Sequence, residues 1–433
     1  MDTAVSPSPR SPRTPLQASR WCAEVDPSGD RFHLVAAMLF LVLFPLATAP
    51  RDIAMAGLVV ITVIRAFRIG SAYRSVFVLA STWAILAYFV WMALGLFWTS
   101  DVESGLVDIK KHRMLLLPLL LLPVLRHAPW LIGSYLTGVL VVNLLQIMQW
   151  LQWPDGVWEP AIRFGAINNP IVTSVFIATA ICYWLKLILH GDRRTCLLAL
   201  PPLSLALFGM MLGLSRGPLL GLAVALPVMA VTTFVLLPQA RRRLGLVVGM
   251  VLVTLGLVLV AAPSVVSTAI DRFSIAIDEY QEAESDPESS VGIRIQMVDY
   301  GLGVLKEHPI LGTGPGTASR FMPEGLDLHG GRGDRVTLHN TYLLAAVTLG
   351  IPGLLLLLWV LLMCFKQSLP LAAGSGLAGG TLFGLIAWMV AAVGDSFQAS
   401  GNYLGVFGIL LSVSMLGVRS RSTNDPGGTA ENP

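Results

Sequence analysis

Charge is scarce in this sequence. Asp, Glu, Lys and Arg make up 13% of its 433 residues, about half the share of an ordinary soluble protein, which is too little to cover a water-facing surface of that size. Cysteine is scarcer still. Cys22, Cys182, Cys196 and Cys364 stand apart with no CxxC pair, so neither a zinc site, a redox pair nor a disulfide scaffold is suggested. No DxD, Walker-type loop or HExxH occurs, which removes the usual signals for metal-bound nucleotide-sugars, nucleotide phosphates and zinc hydrolysis. No fixed G-X-Y period and no long polar low-complexity tract is present either, so collagen and disorder are excluded.

What the sequence has instead is apolar length. Hydrophobic residues reach 55% and the mean hydropathy is +0.71. Runs approaching the ~30 Å hydrocarbon layer recur near 33–49, 53–67, 75–98, 113–125, 129–150, 169–189, 196–214, 217–237, 244–264, 341–365, 376–395 and 403–418. The pattern predicts an all-α polytopic membrane protein of about twelve transmembrane helices. The fourth run, MLLLPLLLLPVL, is short and broken by Pro. Such spans are tolerated where they pack against protein or line a cavity.

Twelve crossings put both termini on one side. One set of connections is strongly basic and includes RAFRIGSAYR, HGDRR and QARRRLG, while the other is net acidic. The positive-inside rule assigns the basic set to the cytoplasm, and in a bacterial inner membrane the other set faces the periplasm. Residues 2–20 are rich in Ser, Pro and Arg with no apolar core, unlike a cleavable signal. The expected organisation is a disordered cytoplasmic tail over 1–30, transmembrane helices 1–9 over 31–264, a large periplasmic loop over 265–340, helices 10–12 over 341–418 and a cytoplasmic tail over 419–433. Within the loop, STAIDRFSIAIDEYQEAE and SSVGIRIQMVDYGLGVLKEH have helical apolar spacing, and SDPESS and GTGPG are turn-rich.

Against this charge bias, cations on the outer side carry information. Arg216, in GLSRGPLLGL, has apolar sequence on both sides. It either snorkels from a helix end or meets an anion, the default for an ionisable group at membrane depth. The neighbouring Ser215, Gly217 and Pro218 suggest a tight re-entry with backbone available for binding. Arg294, in SVGIRIQ, and Arg163, in WEPAIRFGAINNP, are solvated or paired cations on the plain reading and anion contacts on the functional one. Lys110, Lys111 and Arg113 in KKHR anchor the interface or guide an anionic substrate. His339 opens LHNTYLL, where Asn340 caps the next helix. A neutral imidazole beside a polyanion suits a general base, although a bond to a loop carbonyl would also account for it. His308 and His329 read as loop residues. Asp395, in VGDSFQAS, either orients a basic group or caps its loop. Arg, with a planar fork matched to phosphate oxygens, can meet an anion without a divalent metal.

Three ordered motifs then resemble a known family. GLSRGPLLGL is similar to the SRG segment of bacterial O-antigen ligases and polymerases. RIQMVDYGLGVLKEHPILGTGPGTASRF resembles their outer-loop pattern, and LHNTYLLAAVTLGIPGLLLLL resembles their "HN-x-Y-L… G-x-x-G-L" signature. FGAINNPIVTS looks more like the ligases. The resemblance implies a GT-C-like membrane glycosyltransferase with undecaprenyl-diphosphate-linked O-antigen as donor, a sugar hydroxyl of lipid A–core as acceptor and membrane lipid around it. No cofactor, metal or nucleic acid is implied. It assigns His339, Arg216 and Arg294 to catalysis. Arg163, Lys110, Lys111, Arg113, Ser215, Asn340 and Tyr342 are then expected at the substrate. A polymerase with the same donor is the nearest alternative, and a transporter or flippase is the alternative of another class.

Overall fold

The computed structural model describes residues 12–158, 161, 163–236, 240–261, 263, 266–268, 270–271, 274–275, 290–317, 338–374 and 376–418. Among them every regular element is helical. The principal helices are α1 (Pro15–Val25), α2 (Pro27–Leu43), α3 (Thr48–Ile69), α4 (Ala80–Gly95), α5 (Val102–His112), α6 (Ala128–Trp150), α7 (Pro170–His190), α8 (Arg193–Gly213), α9 (Arg216–Leu236), α10 (Arg241–Ala261), α11 (Ser290–Glu307), α12 (Thr341–Ala372), α13 (Gly380–Ala391) and α14 (Gly401–Ser414). Short helical turns over 113–127 replace a continuous helix where Pro118 and Pro123 interrupt the chain. Among the described residues six helical stretches are long and apolar enough to cross a membrane, and three more are apolar but shorter.

The bundle is built around α7, most of which is enclosed by other helices. Phe176, Ile177, Ala180, Ile181 and Tyr183 are fully buried. A helix apolar all round can only sit inside other apolar matter. Against it pack α8, α13 and α9, and α9 also runs along α13. Helix starts follow local chemistry. Asn169 accepts a hydrogen bond from the Ile171 N–H with Pro170 in the first turn, and Asp192 accepts from Thr195.

The N-terminal stretch departs from the expected disordered tail over 1–30. Residues 1–11 lie outside the described residues, but Pro15–Val25 is helical. Thr14 and Gln17 form a reciprocal capping box with Pro in the first turn. Ala18, Ser19 and Cys22 are buried on one face. Asp26 and Asp30 then pair with Arg65 at 2.8 and 3.7 Å, and Asp30 with Arg126 at 2.6 Å. The polar composition of the segment hid both the cap and these four-residue acidic partners of internal arginines.

The second amphipathic piece of the expected outer loop is α11. The first lies largely outside the described residues, as do SDPESS and His329. One stripe of α11, Ile293, Met297, Tyr300 and Val304, packs on Leu338, Leu343, Leu344 and Val347 at the start of α12.

α12 breaks at Gly350, whose φ of 70° and ψ of −178° are open in practice only to glycine. Pro352 removes one amide, and the Ile351 N–H turns away to the Pro309 carbonyl at 2.8 Å. Two helical carbonyls, those of Val347 and Thr348, therefore need new donors. Val347 O receives the Thr313 N–H and Thr348 O the Gly314 N–H, each at 2.9 Å. Leu349 O receives the Trp91 indole N–H at 2.7 Å. The GTGPG turn is thus fitted to the helix break, and Gly312, with φ of 66°, lies too close to the Thr348 carbonyl for any side chain.

Gly350→Ala should cost about 1–3 kcal/mol from backbone strain alone, and more because its Cβ would meet the Ile310 carbonyl. Gly303→Ala, on a helix with open space around it, should be neutral or slightly stabilising. Thermal midpoints of the two purified variants measure the contrast, and equal midpoints would remove this account of the break.

Candidate active site

Six helix ends meet at one end of the bundle. The chain leaves α8 through Leu214, held in the left-handed region at φ 44°, and enters α9 at Arg216. Ser215 is all the linker there is, and it is buried. Its hydroxyl donates to the Gly213 carbonyl at 3.0 Å and accepts from Arg163 Nη2 at 2.8 Å, while Arg163 Nε donates to the same carbonyl at 3.2 Å. An orphan carbonyl at the end of α8 is thereby satisfied, and Arg163 is fixed beside Arg216.

The loop carrying Arg163 is tied down residue by residue. Phe164 N–H donates to Leu212 O at 3.1 Å. Gln146 Nε2 donates to Phe164 O at 2.7 Å, and Gln149 Oε1 accepts from the Gly165 and Ala166 amides at 3.2 and 2.9 Å. Asn168 reaches Pro45 O at 2.7 Å.

These elements enclose a cavity of about 230 Å³. Arg163, Ser215, Arg216, Arg294 and Asp395 line it, with Ile171, Val390 and Val393 as apolar wall. Arg294 arrives on α11 because the stripe one turn below it is seated on α12. Among the described lining residues three guanidinium groups stand beside one carboxylate. The N-termini of α7 and α9 at the same rim add partial positive charge. Such a hollow favours an anion with several oxygens.

His339 stands next to this hollow and is joined to it through Asp395. Its φ of 45° is unusual for a residue with a side chain. Its Nδ1 lies 3.3 Å from Asp395 Oδ1. Asp395 belongs to the connection after α13, not to the helix expected over 376–395, since α13 ends at Ala391. Its Oδ1 also accepts the Ser396 N–H at 2.7 Å, and its Oδ2 accepts the Tyr403 hydroxyl at 3.0 Å. Burial raises the carboxyl, but the hydrogen bond and charge of His339, the Ser396 N–H and the Tyr403 hydroxyl together hold it below the ordinary value. When the imidazole is neutral, the carboxylate favours the tautomer with the proton on Nδ1, which leaves Nε2 as an acceptor. Thr341 locks the two strands of chain together. Its N–H donates to Ala392 O at 2.9 Å, its hydroxyl donates to Asp395 O at 2.7 Å, and that hydroxyl accepts the Phe397 N–H at 2.7 Å.

The expected site residues therefore divide. Arg163, Ser215, Arg216 and Arg294 share one cavity, and His339 adjoins it. Asn340 and Tyr342 are at the same helix start, with their polar atoms engaged in the protein. Asn340 Oδ1 accepts the Tyr342 and Leu343 amides at 3.0 Å, and the Tyr342 hydroxyl donates to Met389 O at 2.8 Å. Lys110, Lys111 and Arg113 do not line the cavity. Lys110 is exposed on α5, Lys111 pairs with Asp108 at 2.8 Å, and Arg113 with Asp52 at 3.0 Å. GLSRG also has the G-x-S-x-G spacing of a hydrolase nucleophile turn. Here it joins two helices, not a strand and a helix, and the Ser215 hydroxyl is committed to Gly213 and Arg163. The sequence reading left Asp395 between two roles and passed over Tyr403, whose only signal is its position eight residues after the carboxylate.

Because the folded-state value of Asp395 is depressed, its contribution to stability is present above the ordinary value of 3.8 and is lost as pH falls through the lower folded value. Asp395→Asn should lower stability by about 1–3 kcal/mol. The gap in thermal midpoint from the parent should hold from about pH 7 to pH 5 and close only under more acid conditions. A gap that closes near neutrality would contradict the depressed value.

Among curated proteins none matches the chain. Residues 201–358, which span the SRG segment, Arg294, the turn at 312–316 and His339, match the family model described as O-Antigen ligase. A function of the O-antigen ligase and polymerase type is thereby supported, and the matched stretch is the part of the chain that carries the three motifs.

Proposed function

We propose that this protein is an O-antigen ligase of the bacterial inner membrane. It transfers glycan from undecaprenyl diphosphate to a sugar hydroxyl of lipid A–core on the periplasmic face, through about twelve crossings with both termini cytoplasmic. The observation that carries the reading is the convergence of Arg163, Arg216 and Arg294 on one cavity that also holds Asp395, the partner of His339.

The donor arrives activated, since a lipid diphosphate is a good leaving group. His339 Nε2 takes the proton of the acceptor hydroxyl while Asp395 steadies the imidazolium that forms. The acceptor oxygen attacks the anomeric carbon from the side opposite the diphosphate, so the bond to the diphosphate oxygen breaks as the new glycosidic bond forms and configuration inverts. Charge grows on the departing diphosphate. Arg216 and Arg294, with Arg163 beside them, gain most at that moment, which lowers the barrier and does more than tighten binding. The charge is met by guanidinium groups, so no divalent cation is required. Arg163 has a second task, because its bonds to Ser215 and Gly213 keep the Arg216 turn closed.

His339→Ala should lower kcat about 10²–10⁴-fold, and Arg216→Ala or Arg294→Ala about 10²–10³-fold each, in an assay with lipid-linked glycan and purified lipid A–core. Product should form equally in the presence of chelator. Strict metal dependence, or full activity in either the His or the Arg variants, would overturn the mechanism. In a deletion strain a ligase leaves polymerised glycan on its lipid carrier and bare core at the surface. Core carrying single repeat units would instead identify a polymerase, and glycan movement without bond formation a transporter.

A further inference from the structure

The end of the bundle away from the arginine cavity carries a second hollow, of about 240 Å³, between α7, α9 and α10. Among the described residues every side chain that lines it is apolar. Leu185, Leu189, Met229 and Val247 form a buried floor, and Val248 and Leu252, 53% and 63% exposed, stand at its open side. The hollow is thus a groove in the flank of the bundle. Ile171 lines the arginine cavity and Leu189 lines the groove, and the two are about 27 Å apart along α7. That is close to the ~30 Å hydrocarbon layer, so cavity and groove belong to opposite leaflets. From Leu244 to Leu252 the groove follows α10 for about 12 Å, within the depth of a single leaflet.

The mouth of the groove is basic. Arg243 reaches from the first turn of α10 to the Gly191 carbonyl, and to the Ile188 carbonyl at 3.5 Å, so the start of α10 is joined to the end of α7 and the turn into α8. Arg241 lies over the Phe234 ring, 4.5 Å from its centroid, and donates from Nε to the Phe234 carbonyl at 2.8 Å. Arg193, Arg194 and Arg242 are exposed in the same two segments. Asp192 is the carboxylate among them. It caps α8 by accepting the Thr195 N–H at 2.7 Å, and the charges of Arg194 and Arg243 both act on it. An apolar groove in a bilayer accepts one acyl chain much like another, since the tails already lie in apolar surroundings. Selection must come from the headgroup. Clustered basic side chains at the ends of membrane helices attract anionic headgroups, and the guanidinium fork fits phosphate oxygens. We propose that the groove and these guanidinium groups bind an anionic phospholipid of the leaflet opposite the arginine cavity, with one acyl chain between α9 and α10 and its phosphate against Arg193, Arg194 and Arg242. A lipid whose headgroup occupies the arginine cavity has that headgroup a bilayer's depth away, so the occupant of the groove is a different molecule. Seated there, it bridges α9 and α10 along their open side.

The test titrates full-length protein in an uncharged detergent with dioleoyl phosphatidylglycerol, takes phosphatidylcholine of the same chains as the control, and counts bound lipid by native mass spectrometry. The parent should bind phosphatidylglycerol about tenfold or more tightly than phosphatidylcholine, and added salt should erode that preference. Arg193→Gln combined with Arg242→Gln should weaken phosphatidylglycerol binding about twenty- to thirtyfold, roughly fivefold for each arginine, and leave phosphatidylcholine unchanged. Both positions are exposed, so the thermal midpoint without lipid should stay near that of the parent. Val248→Trp, which places a ring in the groove, should weaken both lipids. If it does not fold, Leu252→Trp at the outer edge takes its place with the same expectation. Equal affinity of the parent for the two lipids, parent-like phosphatidylglycerol binding in the double arginine variant, or parent-like binding of both lipids in the tryptophan variant would each overturn the proposal. So would undecaprenyl diphosphate that displaces phosphatidylglycerol at lower concentration than phosphatidylglycerol itself, since the groove would then belong to the carrier lipid. Binding is read without turnover, so the lipid site and the ligase assignment stand or fall separately.

Discussion

Everything at the site depends on how positive charge is compensated where water is scarce. Three arginines border one small hollow at the end of an apolar bundle, and a guanidinium group cannot be neutralised by losing its proton. Each must find oxygen. Arg163 finds it in the Gly213 carbonyl and the Ser215 hydroxyl, so part of its hydrogen-bonding capacity goes into building the site. Asp395 is the carboxylate on the same wall, yet its oxygens are also engaged by His339, Ser396 and Tyr403. The result is a wall on which, among the described residues, three guanidinium groups share one carboxylate whose orientation is set by other groups. The same carboxylate faces the imidazole, so the charge of the wall and the setting of the ring both depend on where it points.

Backbone geometry provides the second constraint. Among the described residues, four with side chains have positive φ, namely Gln152, Ala166, Leu214 and His339. Three of these belong to the site: Ala166 to the Arg163 loop, Leu214 to the turn before Arg216, and His339 itself. Conformations of this kind cost of order 1–3 kcal/mol each and persist where surroundings over-determine them. The surroundings here are explicit. Gln149 accepts the Ala166 amide, Ser215 and Arg163 close the Leu214 turn, and Thr341 ties the start of α12 to the Ala392–Phe397 stretch. Placing His339 in a strained connection between α12 and the chain before it lets its ring face Asp395, while the helix proper begins only after the Asn340 cap.

The sequence made the helical class and the arginines legible for a simple reason. Burying charge in apolar sequence is so unfavourable that Arg216 stands out without any structure. Lys110, Lys111 and Arg113 show the weakness of the same logic. A cluster of cations looks alike whether it awaits substrate or already has Asp108 and Asp52 as partners, and those partners are set by packing between segments far apart in the chain. Tyr403 was invisible for a related reason, since a tyrosine in an apolar helix is ordinary until a carboxylate is found within 3.0 Å of its hydroxyl. At the N-terminus the miss was avoidable. Thr14, Pro15 and Gln17 spell a helix start, but the surrounding Ser, Pro and Arg residues read as tail composition and the local cue was overlooked.

Motif spacing in the family stretch also acquires a physical meaning. The glycines of GTGPG and the LGIPG break are separated in sequence by more than thirty residues, yet neither is stable alone. A helix broken at Gly350 leaves the carbonyls at 347 and 348 without their helical donors, and a turn at 312–316 has amides that need acceptors. Each supplies what the other lacks, and the Trp91 indole N–H adds a bond to the Leu349 carbonyl. The join fixes the depth of α11 against α12, because α11 runs directly into that turn. Arg294 sits near the opposite end of α11 from that turn, so the height at which it meets the cavity is set by backbone hydrogen bonds remote from the cavity. A change at the turn would therefore be felt at the arginine as a displacement, even though none of the turn residues touches the cavity.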